Sequence, residues 1–336
     1  MKNYNVGIIG CGAILPRHIE AIEVNENFKI TAVCDIQPSL VKSVAKRLGV
    51  KAYTDYTKMV VSGEVDFVVI ATPNSLHTEQ AVFALKNGCD VLVEKPVAFT
   101  DKEVSEISAI AKEKGQTAYC VLQVRLNPTV QLIKQVLQQN MLGNIRAVNF
   151  IQRWQRPLEY FSGWRAEPSV GGGTLYECGI HYLDIIQHLF GKPDIVSSKC
   201  YEVKHKVGIE DTVYAIFDFG EFGGTCEVTI AAEPQNLECS LAILGSNGYI
   251  KIGGKALNIV ESSRFLSHGS QVDFDKLQKN MNINVEPNSY GSYQGSCPNH
   301  PFVYANLDSF VIEQTSNVIS MIDEIYEKSS IKYRKD

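Results

Sequence analysis

The chain has 336 residues and a formal net charge of -5 at pH 7. This length allows two domains with sizeable cores, and the net charge does not indicate binding to nucleic acid or to an anionic membrane. No apolar run approaches the roughly 18 residues of a membrane span, and the N-terminus passes directly into a strand pattern, so neither a membrane partner nor a signal peptide is expected.

Nine cysteines are present and none of them forms a C-x-x-C pair. Most lie in or beside apolar, strand-like runs: Cys34, Cys89, Cys120, Cys226 and Cys239. This pattern predicts buried, reduced thiols in a cytoplasmic protein.

The first elements in the chain form a strand, a glycine turn, a helix and a second strand. The apolar run Val6 to Ile9 ends in Gly10-x-Gly12, and a later run ends in Asp35. Gly10 allows the turn, Gly12 leaves room for a pyrophosphate, and the helix N-terminus attracts its charge. Asp35 can accept hydrogen bonds from an adenosine ribose and would repel a 2′-phosphate, so the pattern favours NAD over NADP.

An ordinary βαβ turn without a nucleotide is the alternative. The third glycine of the dinucleotide fingerprint is absent, and Leu15 stands in its place. The strand, helix and acidic residue in register still favour dinucleotide binding.

Strands and helices continue to alternate up to residue 122. We predict helices over 38–48, from 78 to about 88 and over 101–114, and strands over 66–71, 91–94 and 117–122. This alternation indicates a parallel, doubly wound sheet, on which ligands bind beyond the carboxyl ends of the strands. The predicted cofactor-binding residues at these ends are Gly10, Gly12, Ala13, Ile14, Asp35, Thr72, Pro73, Asn74, His77, Glu94, Lys95 and Gln123.

The pattern changes after residue 122, which sets the predicted domains at 1–122 and 123–336. A helix over 128–141 leads to strand patterns over 146–156, 196–204, 211–219, 224–232, 239–244 and 248–252. Consecutive strands with short turns predict an α+β domain built on a large, mostly antiparallel open sheet. The segment 262–300 fits no element, and a single helix is predicted over 302–326.

Glu94-Lys95-Pro96 stands at the end of a buried strand in the predicted cofactor crevice. A lysine there can stabilise an oxyanion as it forms, and Glu94 can orient it. The alternative is a surface lysine paired with Glu94.

A polar stripe marks the helix predicted over 175–190, which follows three glycines. Glu177, His181, Asp184 and His188 lie at helical spacing on one face. The stripe is either a solvated face, a metal site that uses His181, or a general base at His181 that Asp184 orients. The glycines, which let a ligand approach the helix start, favour the base, and we expect no metal.

A loop rich in aromatic and basic residues precedes that helix. It contains Arg153, Arg156, Tyr160, Trp164 and Arg165. With Arg125, its arginines can bind a diphosphate and a uronate, and its rings can stack on a sugar or a base. Packing at a sheet edge is the alternative explanation.

Four motifs in this order resemble the glucose-fructose oxidoreductase / inositol dehydrogenase / MocA family. They are the glycine turn with His18, A-T-P-N-S-L-H from Ala71, E-K-P from Glu94, and G-G-G-T-L-Y-E-C-G-I-H-Y-L-D from Gly171. The resemblance implies NAD(P)-dependent oxidation or reduction of a sugar or cyclitol hydroxyl, with Lys95 and His181 as catalytic residues. Asp184 is expected beside them, and Glu177 replaces an aspartate common in the family.

Within the family, the chain is most similar to the UDP-N-acetyl-2-amino-2-deoxyglucuronate 3-dehydrogenases. The similarity lies in Q-V-R-L-N-P from Gln123, the run from Arg153 to Arg165, and N-H-P-F-V-Y from Asn299. It implies a sugar-nucleotide substrate oxidised at C3, used for surface polysaccharide. The expected substrate contacts are Lys95, Arg125, Arg153, Arg156, Tyr160, Glu177 and His181, while Trp164 and Arg165 also contact the cofactor.

Two other functions stay open at this point. One is a dehydrogenase of inositol or a free sugar, which needs no diphosphate site. The other is a non-catalytic NAD-binding regulatory protein, which would not need both Lys95 and His181. A broad open sheet commonly packs against a second copy, so a homodimer or homotetramer is expected.

Overall fold

The computed structural model describes residues 2–281, 283, 289–290, 293–294 and 297–330. These residues form two compact units. The first contains Met1–Gln123 and Pro298–Ile319, and the second contains Val124–Cys297 and Ser320–Asp336. The sequence predicted a domain boundary between residues 122 and 123. It did not predict that Pro298–Ile319, near the C-terminus, belongs to the first unit.

The first unit begins with six strands that alternate with five helices. The strands are β1 (Tyr4–Ile9), β2 (Phe28–Cys34), β3 (Lys51–Tyr53), β4 (Phe67–Ile70), β5 (Asp90–Val93) and β6 (Ala118–Cys120). The helices are α1 (Leu15–Glu23), α2 (Pro38–Leu48), α3 (Tyr56–Val60), α4 (His77–Lys86) and α5 (Asp101–Lys114).

These strands form one parallel sheet in the order β3-β2-β1-β4-β5-β6. Strands β4 and β5 are buried at every position, because helices cover both faces of a doubly wound sheet. The strand order reverses between β1 and β4, which is where such sheets bind ligands. Strand β3 and helix α3 are short and were not predicted.

The second unit contains the larger sheet. Its helices begin with α6 (Pro128–Gln138), α7 (Pro168–Gly171), α8 (Ile180–Phe190) and α9 (His268–Asn280). Its strands are β7 (Ile145–Arg153), β8 (Asp194–Tyr201), β9 (Thr212–Asp218), β10 (Gly223–Thr229), β11 (Glu238–Gly245), β12 (Gly248–Gly253), β13 (Ile259–Phe265), β14 (Ser289–Tyr290) and β15 (Tyr293–Gln294).

Seven of these strands form a sheet in the order β13-β12-β11-β7-β10-β9-β8. All neighbours are antiparallel except β7 and β10. The predicted fold class, a doubly wound parallel sheet followed by an α+β domain on a mostly antiparallel sheet, is confirmed. Helix α9 and the second half of β13 fall in the segment 262–300 that the sequence left unassigned, and part of that segment lies outside the described residues.

Helix α8 packs on one face of the large sheet. Tyr182 stacks on Phe150 with ring centroids 5.3 Å apart and meets the edge of Trp154 at 5.7 Å. Even-numbered residues of β7 therefore point toward this helix, since side chains alternate along a strand. The opposite face leaves Tyr214 and Ile216 exposed.

The predicted single C-terminal helix is wrong. The structure has α10 (His300–Ala305), two short 3-10 helices (Leu307–Phe310 and Ile312–Thr315) and α11 (Ser316–Lys328). Val311, with φ -58° and ψ 143°, is not helical, and it forms an antiparallel β-bridge with Tyr119 of β6. That bridge uses backbone groups that a continuous helix would need.

All nine cysteines are free thiols, and Cys200 alone is less than fully buried. Burial raises the pKa of the Cys34 thiol to about 12 and that of Cys89 to about 11. The prediction of buried, reduced thiols is confirmed. In the described part of the chain, no helix combines the length and the apolar character needed to cross a membrane.

Candidate active site

The glycine turn after β1 is built around Gly10. Its φ is +101°, and a Cβ at this position would lie 2.4 Å from the carbonyl oxygen of Ala71. The loops after β1 and β4 therefore touch at the point where the strand order reverses. Only glycine permits that contact.

Asp35 lies at the carboxyl end of β2 and contacts the same turn. One of its carboxylate oxygens accepts the backbone N–H of Cys11 at 2.8 Å, and the other accepts the N–H of Gln37 at 2.9 Å. These bonds fix the carboxylate beside the turn while oxygen lone pairs remain for ribose hydroxyls.

Three features of the first unit fit a dinucleotide. A Cβ at Gly12 would meet no described atom within 4 Å. Ile14 stands at the cap position of α1 and makes no side-chain cap hydrogen bond, so no side chain neutralises the positive end of the helix dipole, which suits a pyrophosphate. The side-chain oxygen of Gln123 is buried and has no hydrogen-bond partner among the described residues, so a cofactor group can supply the donor.

His77 has a different role from the one predicted. It is fully buried, and its ring nitrogens contact the carbonyl oxygens of Pro96 at 2.7 Å and Thr72 at 2.9 Å. The side chain therefore ties the loop after β4 to the turn after β5, and it does not present these nitrogens to the cofactor.

The turn that carries Lys95 is anchored by the buried carboxylate of Glu94. His18 and His300 contact this carboxylate at 3.1 and 3.4 Å. Burial by itself would raise the pKa of Glu94, but the hydrogen bonds from the two histidines outweigh it and hold that pKa well below its usual range. Glu94 is consequently an ionised carboxylate at neutral pH.

In the second unit, three of the predicted substrate residues meet. The carboxylate of Glu177 accepts the hydroxyl of Tyr160 at 3.1 Å and Nε of Arg165 at 3.0 Å. The Arg165 guanidinium lies 4.4 Å from the ring of Trp164 and 5.1 Å from that of Tyr160. The result is a charged and aromatic cluster just before α8, whose first turn carries the partly exposed His181.

In the glycine run before this helix, Gly173 packs closely against side chains of the same unit. A Cβ at Gly173 would lie 2.7 Å from the Tyr326 hydroxyl and 2.9 Å from a carboxylate oxygen of Glu210. The prediction that the run admits a ligand is therefore wrong at Gly173, since buried protein groups occupy that space.

Asp184 does not hold His181 in the way predicted. Its two carboxylate oxygens accept Nε and Nη2 of Arg125 at 2.7 and 2.6 Å, and both side chains are buried. Arg125 is therefore engaged in a bidentate pair and is not presented to a diphosphate. The predictions that Asp184 orients His181 and that Arg125 binds a diphosphate are therefore both corrected. The Arg125–Asp184 pair instead fixes α8 to the segment before α6.

Arg153 and Arg156 also differ from the prediction. Arg153 is an odd-numbered residue of β7 and lies on the face away from α8, where Glu227 and Glu238 bind it. Arg156 is buried with its guanidinium 4.8 Å from the ring of Trp154. Strand alternation thus separates Arg153 from His181, and Arg156 packs inside the unit.

Residues 4–122 match the oxidoreductase family with an NAD-binding Rossmann fold, GFO_IDH_MocA. Residues 130–251 match the GFO/IDH/MocA C-terminal domain. The chain belongs to the GFO/IDH/MocA family. As a member, it is an NAD-dependent oxidoreductase of the sugar dehydrogenase type, and its first unit is the NAD-binding domain.

Several dehydrogenases are similar over most of the chain. WlbA dehydrogenase from Bordetella pertussis, solved in complex with NADH and UDP-GlcNAcA, is 26% identical with a TM-score of 0.88, over 98% of this chain and 96% of that one. Glucose-6-phosphate 3-dehydrogenase of Bacillus subtilis is 28% identical over 70% of this chain and 68% of its own. scyllo-Inositol 2-dehydrogenase (NADP(+)) IolU of the same organism is 30% identical over 63% and 66%.

Sequence reasoning gave no role to His18, His300 or Tyr304. His18 and Asn299 to Tyr304 served only as marks of the GFO/IDH/MocA resemblance. A buried carboxylate needs donors, and both histidines lie in stretches that end up in the first unit. No local spacing relates them to Glu94, since they are 76 and 206 residues away from it.

His188, near the end of α8, gives a pH prediction. Burial and the nearby charge of Arg125 lower its pKa to about 4. The unfolded chain, with an ordinary histidine pKa near 6.5, then binds more protons between pH 6.5 and 4, so this residue makes the native state less stable as pH falls through that window. In urea titrations from pH 7 to 4, His188→Gln should lose stability less steeply than the wild type. His268→Gln, at an exposed site, is the control, and equal slopes for all three proteins would refute the prediction.

Proposed function

We propose that this chain oxidises a ring hydroxyl of a nucleotide-linked sugar, with C3 of UDP-N-acetylglucosaminuronate as the leading candidate, for surface-polysaccharide synthesis. The observation that supports it most is the likeness to WlbA over 98% of the chain, because that structure holds NADH and UDP-GlcNAcA. The cluster of Tyr160, Trp164, Arg165 and Glu177 offers groups for a sugar and an anion.

Lys95 and His181 carry the chemistry in this proposal. His181 removes the hydroxyl proton as general base, and the Lys95 ammonium stabilises the negative charge that develops on the oxygen. NAD, when bound, would supply the hydride acceptor. Glu177 holds Arg165 and Tyr160 in place, so that they contact the substrate in one arrangement.

The test is absorbance at 340 nm of the purified protein with NAD. The panel contains UDP-N-acetylglucosaminuronate, other UDP-sugars, glucose 6-phosphate, myo-inositol and free hexoses, each with and without 2-oxoglutarate to re-oxidise the cofactor. Turnover confined to the UDP-uronate supports the proposal. Turnover of inositol or unlinked sugars would favour the second candidate, a dehydrogenase of inositol or a free sugar. IolU and the glucose-6-phosphate enzyme are the similar proteins that motivate it. NAD binding by calorimetry without turnover would favour a regulatory protein.

In the proposed function, Arg165 contributes to the binding of a negatively charged substrate. Arg165→Met removes the cation that stacks on Trp164 and Tyr160, and we expect KM for the UDP-uronate to rise about 10-fold or more, as for a lost charge-assisted bond. Arg146→Met, at an exposed position of β7, is the matched control and should leave KM unchanged. An unchanged KM in Arg165→Met would show that this arginine does not bind substrate.

We also propose that a second copy of the chain covers the open face of the large sheet. Tyr201, Tyr214 and Ile216 are exposed on strands of that sheet, with exposed fractions of 45%, 45% and 49%. Aromatic and aliphatic side chains in such a group are typical of an interface. Light scattering that gives the mass of one chain would contradict this.

A further inference from the structure

A buried cluster of four polar side chains lies behind the Lys95 turn in the first unit. We call it the glutamate cluster: His18, Glu94, His300 and Tyr304. All four are at most 8% exposed. The His18 and His300 rings lie edge to face with centroids 5.4 Å apart. Such a group is costly to bury unless every charge and donor in it is satisfied, so its geometry calls for an explanation.

The donor and the acceptor of each hydrogen bond in the glutamate cluster can be assigned. The Tyr304 hydroxyl lies 2.9 Å from Nδ1 of His18, and Nε2 of His18 lies 3.1 Å from Oε1 of Glu94. Because an ionised Glu94 can only accept, Nε2 of His18 carries the proton, and Nδ1 accepts from Tyr304. Nε2 of His300 donates to the same carboxylate oxygen at 3.4 Å.

The second oxygen of Glu94 connects the glutamate cluster to the turn. It accepts the backbone N–H of Lys95 at 3.3 Å. The two histidines therefore fix one oxygen of Glu94, and the other oxygen restrains the main chain of Lys95. On the far side of the turn, His77 holds the carbonyl of Pro96 at 2.7 Å.

We propose that His300 and His18 are positioning residues for Lys95. They act through Glu94: the carboxylate is held by two imidazole donors and in turn holds the backbone from which the lysine side chain extends. The inference rests on the proposed function, in which the Lys95 ammonium contacts the reacting oxygen. A side chain that must meet a developing charge loses much of its effect when it is displaced by about 1 Å, so a loosened Glu94 should act on kcat.

A bound metal is the competing explanation of the same side chains. Ligand atoms of His18, Glu94 and His300 lie within 4.8 Å of one another, which is close enough to surround an ion. Direct hydrogen bonding accounts for the 3.1 Å contact of His18, whose tautomer Tyr304 fixes, while the 3.4 Å contact of His300 is a longer and weaker bond to the same oxygen. The experiment must therefore separate these two explanations.

The test compares His300→Leu with His300→Gln. The glutamine amide can place an N–H donor where Nε2 of His300 lies, whereas leucine fills the space without a donor. We expect His300→Leu to lower kcat about 10- to 100-fold, with KM and the NAD dissociation constant within about 3-fold of wild type. His300→Gln should recover most of kcat. A purely structural role would lower the melting temperature and leave the kcat of the folded enzyme unchanged, which would overturn the proposal.

A double mutant shows whether the effect passes through Lys95. If it does, Lys95→Met/His300→Leu is no slower than Lys95→Met alone. Additive losses would overturn the inference while leaving the proposed function intact. Full activity in Lys95→Met would instead overturn the proposed function.

Two further measurements complete the test. Elemental analysis of the purified protein that finds one zinc per chain, with activity lost to a chelator, would replace the hydrogen-bonded cluster with a metal site. Should His300→Leu fail to fold, Tyr304→Phe removes only the hydroxyl that fixes the His18 tautomer. We expect it to lower kcat about 3- to 10-fold, and an unchanged kcat would overturn the proposal.

Discussion

Lys95→Met should lower kcat about 100- to 1000-fold, while KM changes by less than about 3-fold. Methionine keeps the length and the apolar stem of lysine but removes the ammonium. A cation that stabilises charge only in the transition state contributes to kcat, and the loss of one such preorganised donor typically costs this much. Initial rates at 340 nm with the substrate found in the panel would measure it.

The controls separate chemistry from cofactor binding. Although Lys95 is also among the predicted cofactor contacts, NAD affinity by calorimetry should change little, because the glycine turn and Asp35 do not involve the lysine ammonium. Lys58→Met, at a side chain that is 77% exposed, should behave as wild type. A kcat for Lys95→Met within a few-fold of wild type would remove Lys95 from the mechanism.

Arg125→Met should destabilise the protein by about 3–5 kcal/mol. It leaves the carboxylate of Asp184, which is 1% exposed, without its bidentate partner inside the second unit. An uncompensated buried charge is the costly outcome of breaking such a pair. Urea unfolding of the two proteins, followed by circular dichroism, measures the difference.

Two further variants serve as controls for the Arg125→Met result. Arg125→Met/Asp184→Leu removes both charges and should recover much of the loss, since an apolar replacement of a buried pair is often neutral or better. Arg153→Met breaks ion pairs at a side chain that is 36% exposed and should cost about 1 kcal/mol or less. Equal costs for Arg125→Met and Arg153→Met would show that burial of the Arg125 pair is not decisive.

The parallel sheet of the first unit could be predicted from sequence because its signals are local. Gly10, Gly12 and Asp35 lie within a single strand-helix-strand repeat, where backbone conformation and strand order dictate what each residue does. The same holds for the alternation of strands and helices up to residue 122, which gave the parallel sheet. The larger sheet followed from successive strand patterns with short turns.

The pairings inside the candidate site could not be predicted in the same way. Asp184 has the right spacing to assist His181, yet its partner is Arg125, 59 residues earlier in the chain. Which neighbour a buried carboxylate takes depends on side-chain direction and on the elements packed against it. Arg153 is a second example. The face of the sheet on which its side chain lies follows from strand register, which composition does not give.

The return of Pro298–Ile319 to the first unit has a consequence for biosynthesis. When residue 123 leaves the ribosome, Glu94 still lacks His300 and the NAD-binding unit is incomplete. At typical elongation rates, the stretch from Val124 to Cys297 takes roughly 9–35 s to translate. Throughout that time the nascent chain carries a Rossmann core that is missing its last piece. A gene fragment cut at residue 123 would leave the unit in that state permanently, so exchange of this cofactor module between proteins requires three crossovers, at 123/124, 297/298 and 319/320.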